Sequence, residues 1–160
     1  MNTDIEETRT LLIKLLEATR RETRLALSGV DSERVIHNDR AAWRVRDILG
    51  HVGVWNGEAA KSLRAHSQGN EYCCITSEAK YDEYNSLAVE ERRTWNIAQV
   101  WAEYESSYDQ IKFLVETMTA GNLNSEMLYP WNERGAVRYL VEVMMKHESD
   151  HMEIIIKSAL

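Results

Sequence analysis

Apolar residues recur in alternating steps of three and four along four long stretches of the chain, the spacing that lines one face of an α-helix. The first helix is predicted to begin at Thr3-Asp4-Ile5-Glu6, where the Thr3 hydroxyl and the Glu6 carboxylate would form a capping box, and to run to about Leu27 before Ser28-Gly29. The second extends from about Val45 to His66 with the stripe Ile48, Val52, Trp55, Ala59 and Leu63. The third spans about Trp95 to Thr119 behind a Thr94 cap and reads Ile97, Trp101, Tyr104, Tyr108, Ile111, Val115, Met118. The fourth runs from about Ala136 to Ala159 as Val137, Leu140, Met144, His147, His151, Ile154, Ser158, so two histidines sit in its seam. Single glycines at 29, 69, 121 and 135 fall where such helices should stop. Ser67 to Arg93 is left between the second and third helices, with one short helix or two around Glu78 to Glu91 and no strand-like alternation. A connection this long exceeds the usual reach of a tight bundle loop and is a candidate wall or lid over a site. The expected architecture is an all-α four-helix bundle.

Composition narrows the class. At 160 residues, 44% hydrophobic and 28% charged, with no internal repeat or linker, the chain reads as one domain over residues 1–160. A chain this long buries enough surface that no structural metal or disulfide is needed, so a metal site would need a functional reason. Twenty-six acidic against nineteen basic residues leave a net charge of −7, with Lys and Arg scattered, a surface that repels phosphate backbones and disfavours nucleic acid. No apolar run is long enough for a membrane span, and the acidic start Asp4-Ile5-Glu6-Glu7 is unlike a signal peptide, so a cytoplasmic protein is expected. Cys73 and Cys74 are adjacent and lack the spaced partners of a zinc or redox motif, which favours plain loop thiols over a vicinal disulfide or a redox role.

The chemistry concentrates at His147-Glu148-Ser149-Asp150-His151. Imidazoles four apart lie one above the other on a helix and can reach one metal ion. The pattern is formally H-E-x-x-H, but the positions after it carry Ile154 and Lys157 rather than the third ligand of a zinc protease. A third ligand must therefore come from upstream. The best candidate is His51, on the flank of the second helix's apolar stripe, with Gly50 and Gly53 leaving room for close approach to the fourth helix or for a metal. The competing reading is a set of satisfied core histidines. Three histidines at these positions favour the metal, because unpaired buried imidazoles are costly.

Trp43-Arg44-Val45-Arg46-Asp47-Ile48-Leu49-Gly50-His51-Val52-Gly53-Val54-Trp55, followed by His147-Glu148-Ser149-Asp150-His151, resembles the DinB/YfiT superfamily of metalloenzymes. The resemblance spans the chain and implies a four-helix bundle, often dimeric, with one divalent metal held by His51, His147 and His151, zinc or nickel being expected. It implies a metal-dependent transferase or hydrolase on a small molecule. The superfamily includes S-transferases that use bacillithiol, mycothiol or glutathione, mycothiol-dependent maleylpyruvate isomerases and ClbS-like protective proteins. A low-molecular-weight thiol cosubstrate, detoxification chemistry and a homodimer follow as expectations. Two alternatives stay open: a ClbS-like protein that captures a reactive compound without metal, and a metal-binding stress protein without turnover. Arg44 departs from the family's usual Ser or Thr cap, though Asp47 in the first turn still complements the helix dipole.

Other residues carry more than one reading. Glu148 could orient a water or act as a base, or could make a solvent or interhelical contact. Glu58, on the His51 side of its helix, is a weaker carboxylate candidate. Trp55, Trp101, Tyr104 and Tyr108 are expected in the core, some of them lining a pocket. Trp131 would cover the site or anchor its loop, and His37 and His66, lacking partners at metal spacing, are expected at the surface.

Overall fold

All four periodic stretches fold as helices: α1 (Asn2–Leu27), α2 (Val45–Ser67), α4 (Ile97–Thr117) and α6 (Val137–Lys157). The computed structural model describes residues 2–37 and 42–158, with side chains described for 4–36 and 42–158. The Thr3 side chain and His37 side chain lie outside that set; α1 itself begins at Asn2, one residue before the predicted cap. α2 packs most extensively on α4 and α1 on α6, while α2–α6 and α1–α4 contacts close the bundle. The long connection after α2 carries a 3-10 turn (Glu78–Lys80) and α3 (Tyr81–Glu91), as its composition suggests. Among the described residues no helix is long and apolar enough to cross a membrane.

The apolar stripe of α2 is buried from end to end, and one large cluster joins Leu16, Leu63, Tyr108, Val115, Leu140 and Met145 from the four long helices. A second cluster, Ile36, Val45, Ile48, Met152 and Ile155, fills the opposite end. On α6 the expected seam turns away from the core. Val137, Leu140 and Met144 are buried, but further along the buried positions are Met145, Glu148, Met152 and Ile155, while Ile154 is 42% exposed and Ser158 lies at the surface. A strict seven-residue repeat drifts by about 20° per heptad on a straight helix, so its last members leave the core face. That drift carries His147 and His151 to the edge of the core, half-buried.

Three local expectations are corrected. Asn96, not Thr94, caps α4: its Oδ1 accepts from Gln99 N and Gln99 Oε1 accepts from Asn96 N, both at 2.9 Å. Gly29 and Gly69 do follow helix ends at φ +74°, where a side chain is strained, but Gly121 lies inside α5 (Ala120–Leu123) and Gly135 in a strand. Gly50 and Gly53 face α4 and the turn before it rather than α6: a Cβ on Gly53 would stand 3.3 Å from the Tyr104 backbone, and one on Gly50 would meet Arg92 and Val100.

Two antiparallel hairpins are additional to the expected helices: β1 (Val35–His37) with β2 (Ala42–Arg44), paired as Ile36↔Trp43, and β3 (Glu126–Leu128) with β4 (Arg134–Ala136), paired as Met127↔Gly135. Strands of three residues are too short to show alternation. Each hairpin runs without a break into a helix, β2 into α2 and β4 into α6. At the first junction the Asp47 carboxylate accepts from the Arg44 amide at 2.9 Å and from Nε and Nη2 of its guanidinium. Asp47 thus holds the start of α2 without a Ser or Thr cap.

Candidate metal centre

His51 lies in the second turn of α2, and His147 and His151 lie one above the other on α6. The close α2–α6 packing brings their rings together. His147 Nε2 stands 3.1 Å from both His51 Nε2 and His151 Nε2, and one nitrogen from each of the three rings falls within 4.8 Å of the others. Two nitrogens each about 2.0–2.1 Å from one ion stand roughly 2.9–3.4 Å apart for angles between octahedral and tetrahedral, so this spacing fits a divalent metal. Burial comes first, then the neighbouring imidazoles, in driving His51 down to about 2 and His147 to about 4; burial also lowers His151, against the pull of Asp150. All three rings are therefore neutral at physiological pH, the form that binds metal. The Nδ1 atoms of His51 and His147 are buried with no hydrogen-bond partner among the described residues. The Trp43 ring packs on His51, centroids 5.1 Å apart.

The triad forms one wall of a cavity of about 300 Å3, otherwise lined by Trp55, Tyr81, Asn85, Trp131, Val143 and Met144. Its other walls come from the two long connections. Trp55 Nε1 donates to Asn85 Oδ1 at 2.9 Å and its ring stacks on Tyr81, centroids 5.8 Å apart, so α3 is fastened against α2. The segment before α3 is tied to the β3–β4 turn by Cys74 N donating to Pro130 O at 2.8 Å. Trp131, in that turn, packs on Tyr129 and donates through Nε1 to Glu133 at 2.9 Å.

A profile of the DinB superfamily matches residues 15–155. The chain belongs to the DinB superfamily. Solved structures agree on the fold. A mycothiol-dependent maleylpyruvate isomerase superposes with a TM-score of 0.76 at 13% identity, over 92% of this chain and 60% of that one. This DinB chain thus spans only part of that enzyme's length. An uncharacterised protein from Escherichia coli UTI89 gives 0.75 at 12% identity over 93% of this chain and 91% of that one. No curated protein matches the chain.

The other predicted residues of this DinB protein divide between wall and scaffold. Glu148 is fully buried, and its carboxyl accepts from Thr23 Oγ1, from Tyr104 OH at 2.6 Å and from Asn56 Nδ2 at 3.3 Å. Those partners come from α1, α4 and α2, so the group points into the bundle, neither to solvent nor into an ion pair. Burial pushes its pKa above the ordinary carboxyl value despite the three donors. Glu58 is likewise buried and accepts from Tyr72 OH at 2.5 Å and Lys61 Nζ at 2.8 Å; these donors outweigh burial and lower its pKa. It anchors the connection that carries Tyr81 and Asn85. Burial and the Glu58 charge raise the Cys74 thiol to about 12, which leaves an unreactive thiol.

Among the aromatic candidates, Trp55 and Trp131 line the cavity; Tyr104 and Tyr108 are core, and Trp101 packs edge-on against Tyr104 away from the histidines. His66 is half-buried rather than a free surface group: its Nε2 lies 2.9 Å from Asn122 O, linking the end of α2 to α5. Sequence reasoning missed Tyr81 and Asn85. Their signal was the spacing Tyr81, Tyr84, Asn85 on a helix inside a connection already expected to wall a site.

Proposed function

We propose that this DinB protein is a divalent-metal-dependent enzyme that acts on a small molecule held in the cavity, and that its reaction is thiol S-transfer or a related detoxification step. One observation carries the reading: three neutral imidazoles converge at metal-ligand spacing on the wall of an apolar cavity. His51, His147 and His151 would hold the ion, with zinc and nickel both suited to three imidazole nitrogens. The chemistry that a divalent ion supplies in such a site is Lewis acidity, which lowers the pKa of a thiol or water and polarises a carbonyl.

The chain contributes neutral ligands that need not release a proton, a dry aromatic wall, and a rigid start for both ligand helices through the two hairpins. No Asp or Glu is among the lining residues. With Glu148 turned into the core, the H-E-x-x-H pattern here lacks the carboxylate base that proteolysis requires. The isomerase of the same fold is mycothiol-dependent, which supports a low-molecular-weight thiol as cosubstrate. A homodimer in the cytoplasm completes the proposal on the family resemblance.

A second reading has its own support. At 3.1 Å, His51 and His151 can each donate an Nε2–H to the His147 Nε2 lone pair, so the triad can also stand without metal in a protein that captures a reactive compound. Incubation with glutathione or cysteine and a chromogenic electrophile such as 1-chloro-2,4-dinitrobenzene separates the two. The enzyme gives many turnovers, abolished by EDTA and restored by zinc or nickel. Capture of one equivalent, indifferent to EDTA, would instead establish the binding protein.

A further inference from the structure

We propose that the cavity selects flat, uncharged carbonyl compounds of about two fused rings and rejects carboxylates; this names the substrate class of the site proposed above and rests on that reading. Trp55 and Tyr81 lie nearly parallel, 27° between ring planes, and Trp131 adds a third aromatic surface. Such faces favour offset stacking with a conjugated ring. At about 300 Å3 the space is roughly twice an apolar cavity that holds one benzene.

Polarity in the cavity is sparse and directional. The indole N–H of Trp55 only donates, so the oxygen of the Asn85 amide must face it. Asn85 Nδ2, which has no hydrogen-bond partner among the described residues, is the end left to the cavity, and it donates. A ligand that answers it carries an acceptor such as a carbonyl oxygen. A carboxylate also accepts, but it would be poorly compensated here. No Lys or Arg is among the lining residues, and the imidazoles are neutral. Glu133 sits on the indole nitrogen of Trp131, and Tyr81 lies in the field of both Glu133 and Glu78. An entering anion would lose its water without gaining a cation and would approach two glutamates.

The test uses the full chain after EDTA treatment and three probes on one ring system: 2-acetylnaphthalene, 2-naphthoate and 2-ethylnaphthalene, titrated calorimetrically. The ketone is expected to bind at least about tenfold more tightly than either of the others. Asn85→Asp keeps an oxygen for the Trp55 indole, removes the donor and adds a charge; it should erase the ketone's advantage over 2-ethylnaphthalene. Naphthoate binding as tightly as the ketone in the wild-type chain, or an unchanged preference in a folded Asn85→Asp protein, overturns the inference. A zinc titration of the same sample keeps the two readings apart. Absent zinc binding with the probe order intact refutes the metal and supports the cavity assignment, whereas zinc binding with no ketone preference refutes the cavity assignment alone.

Discussion

Glu148→Ala should be among the most damaging single changes in the molecule, and for a reason unrelated to catalysis. One carboxyl ties α6 to the other three long helices through Thr23, Tyr104 and Asn56. Truncation strands two hydroxyls and an amide in a dry core at roughly 1–3 kcal/mol for each orphaned group and leaves a cavity besides. A loss of about 4–5 kcal/mol is expected, a large share of the ~5–15 kcal/mol that holds a domain folded. Glu148→Gln should cost less than about 1 kcal/mol. Both hydroxyls donate to the same oxygen, Oε1, which the glutamine retains, and its NH2 would meet Asn56, whose Oδ1 is buried without a partner and can turn to accept.

The pH dependence of that pair has a fixed sign. The Glu148 pKa is raised in the folded state, so its contribution is fully present below the unfolded value of roughly 4.3 and is lost as pH rises through the folded value. Glu148→Gln should therefore gain on the wild type as pH climbs from about 4. Urea unfolding in EDTA, followed by far-UV circular dichroism at several pH values, measures all three proteins. An alanine variant within about 1 kcal/mol of wild type, or a glutamine variant as costly as alanine, would refute the account of this carboxyl.

The histidines act in the opposite sense. Their folded pKa values lie below the ordinary value of roughly 6.5, so the metal-free protein should lose stability as pH falls below it, by about 1.4 kcal/mol per pH unit for each titrating ring, and His51→Gln with His147→Gln should flatten that slope in the same unfolding series. Gly53→Leu should cost about 1–3 kcal/mol by thermal or urea unfolding, because its first carbon already meets the Tyr104 backbone at 3.3 Å; a neutral substitution would show that α2 and α4 are not in close contact there.

The helices were legible in the sequence because their packing faces are written in three-four spacing, and the histidines because i, i+4 on a helix has one geometric meaning. What was not legible has physical causes. The hairpins before α2 and α6 are too short for periodicity. The outward turn of Ile154 follows from helical drift, which a seven-residue pattern conceals. Glu148 shares a motif with two histidines yet points some 100° away from His147 around the helix, and nothing local reveals that Thr23, Asn56 and Tyr104, scattered along the chain, converge on it. The cavity walls depend on contacts between distant connections, such as Trp55 with Asn85 and Cys74 with Pro130, that spacing alone does not encode.

Zinc titration of the wild-type protein beside His51→Ala at neutral pH tests the central claim most directly, because His51 is far in sequence from the H-E-x-x-H pair and joins it only through the fold. The account predicts about one ion per chain in the wild type and at least a 100-fold weaker affinity in the variant, more than the roughly 10–100-fold that loss of an outer-shell partner costs, with the variant still folded by circular dichroism. A folded His51→Ala protein that binds zinc as tightly as the wild type would contradict it.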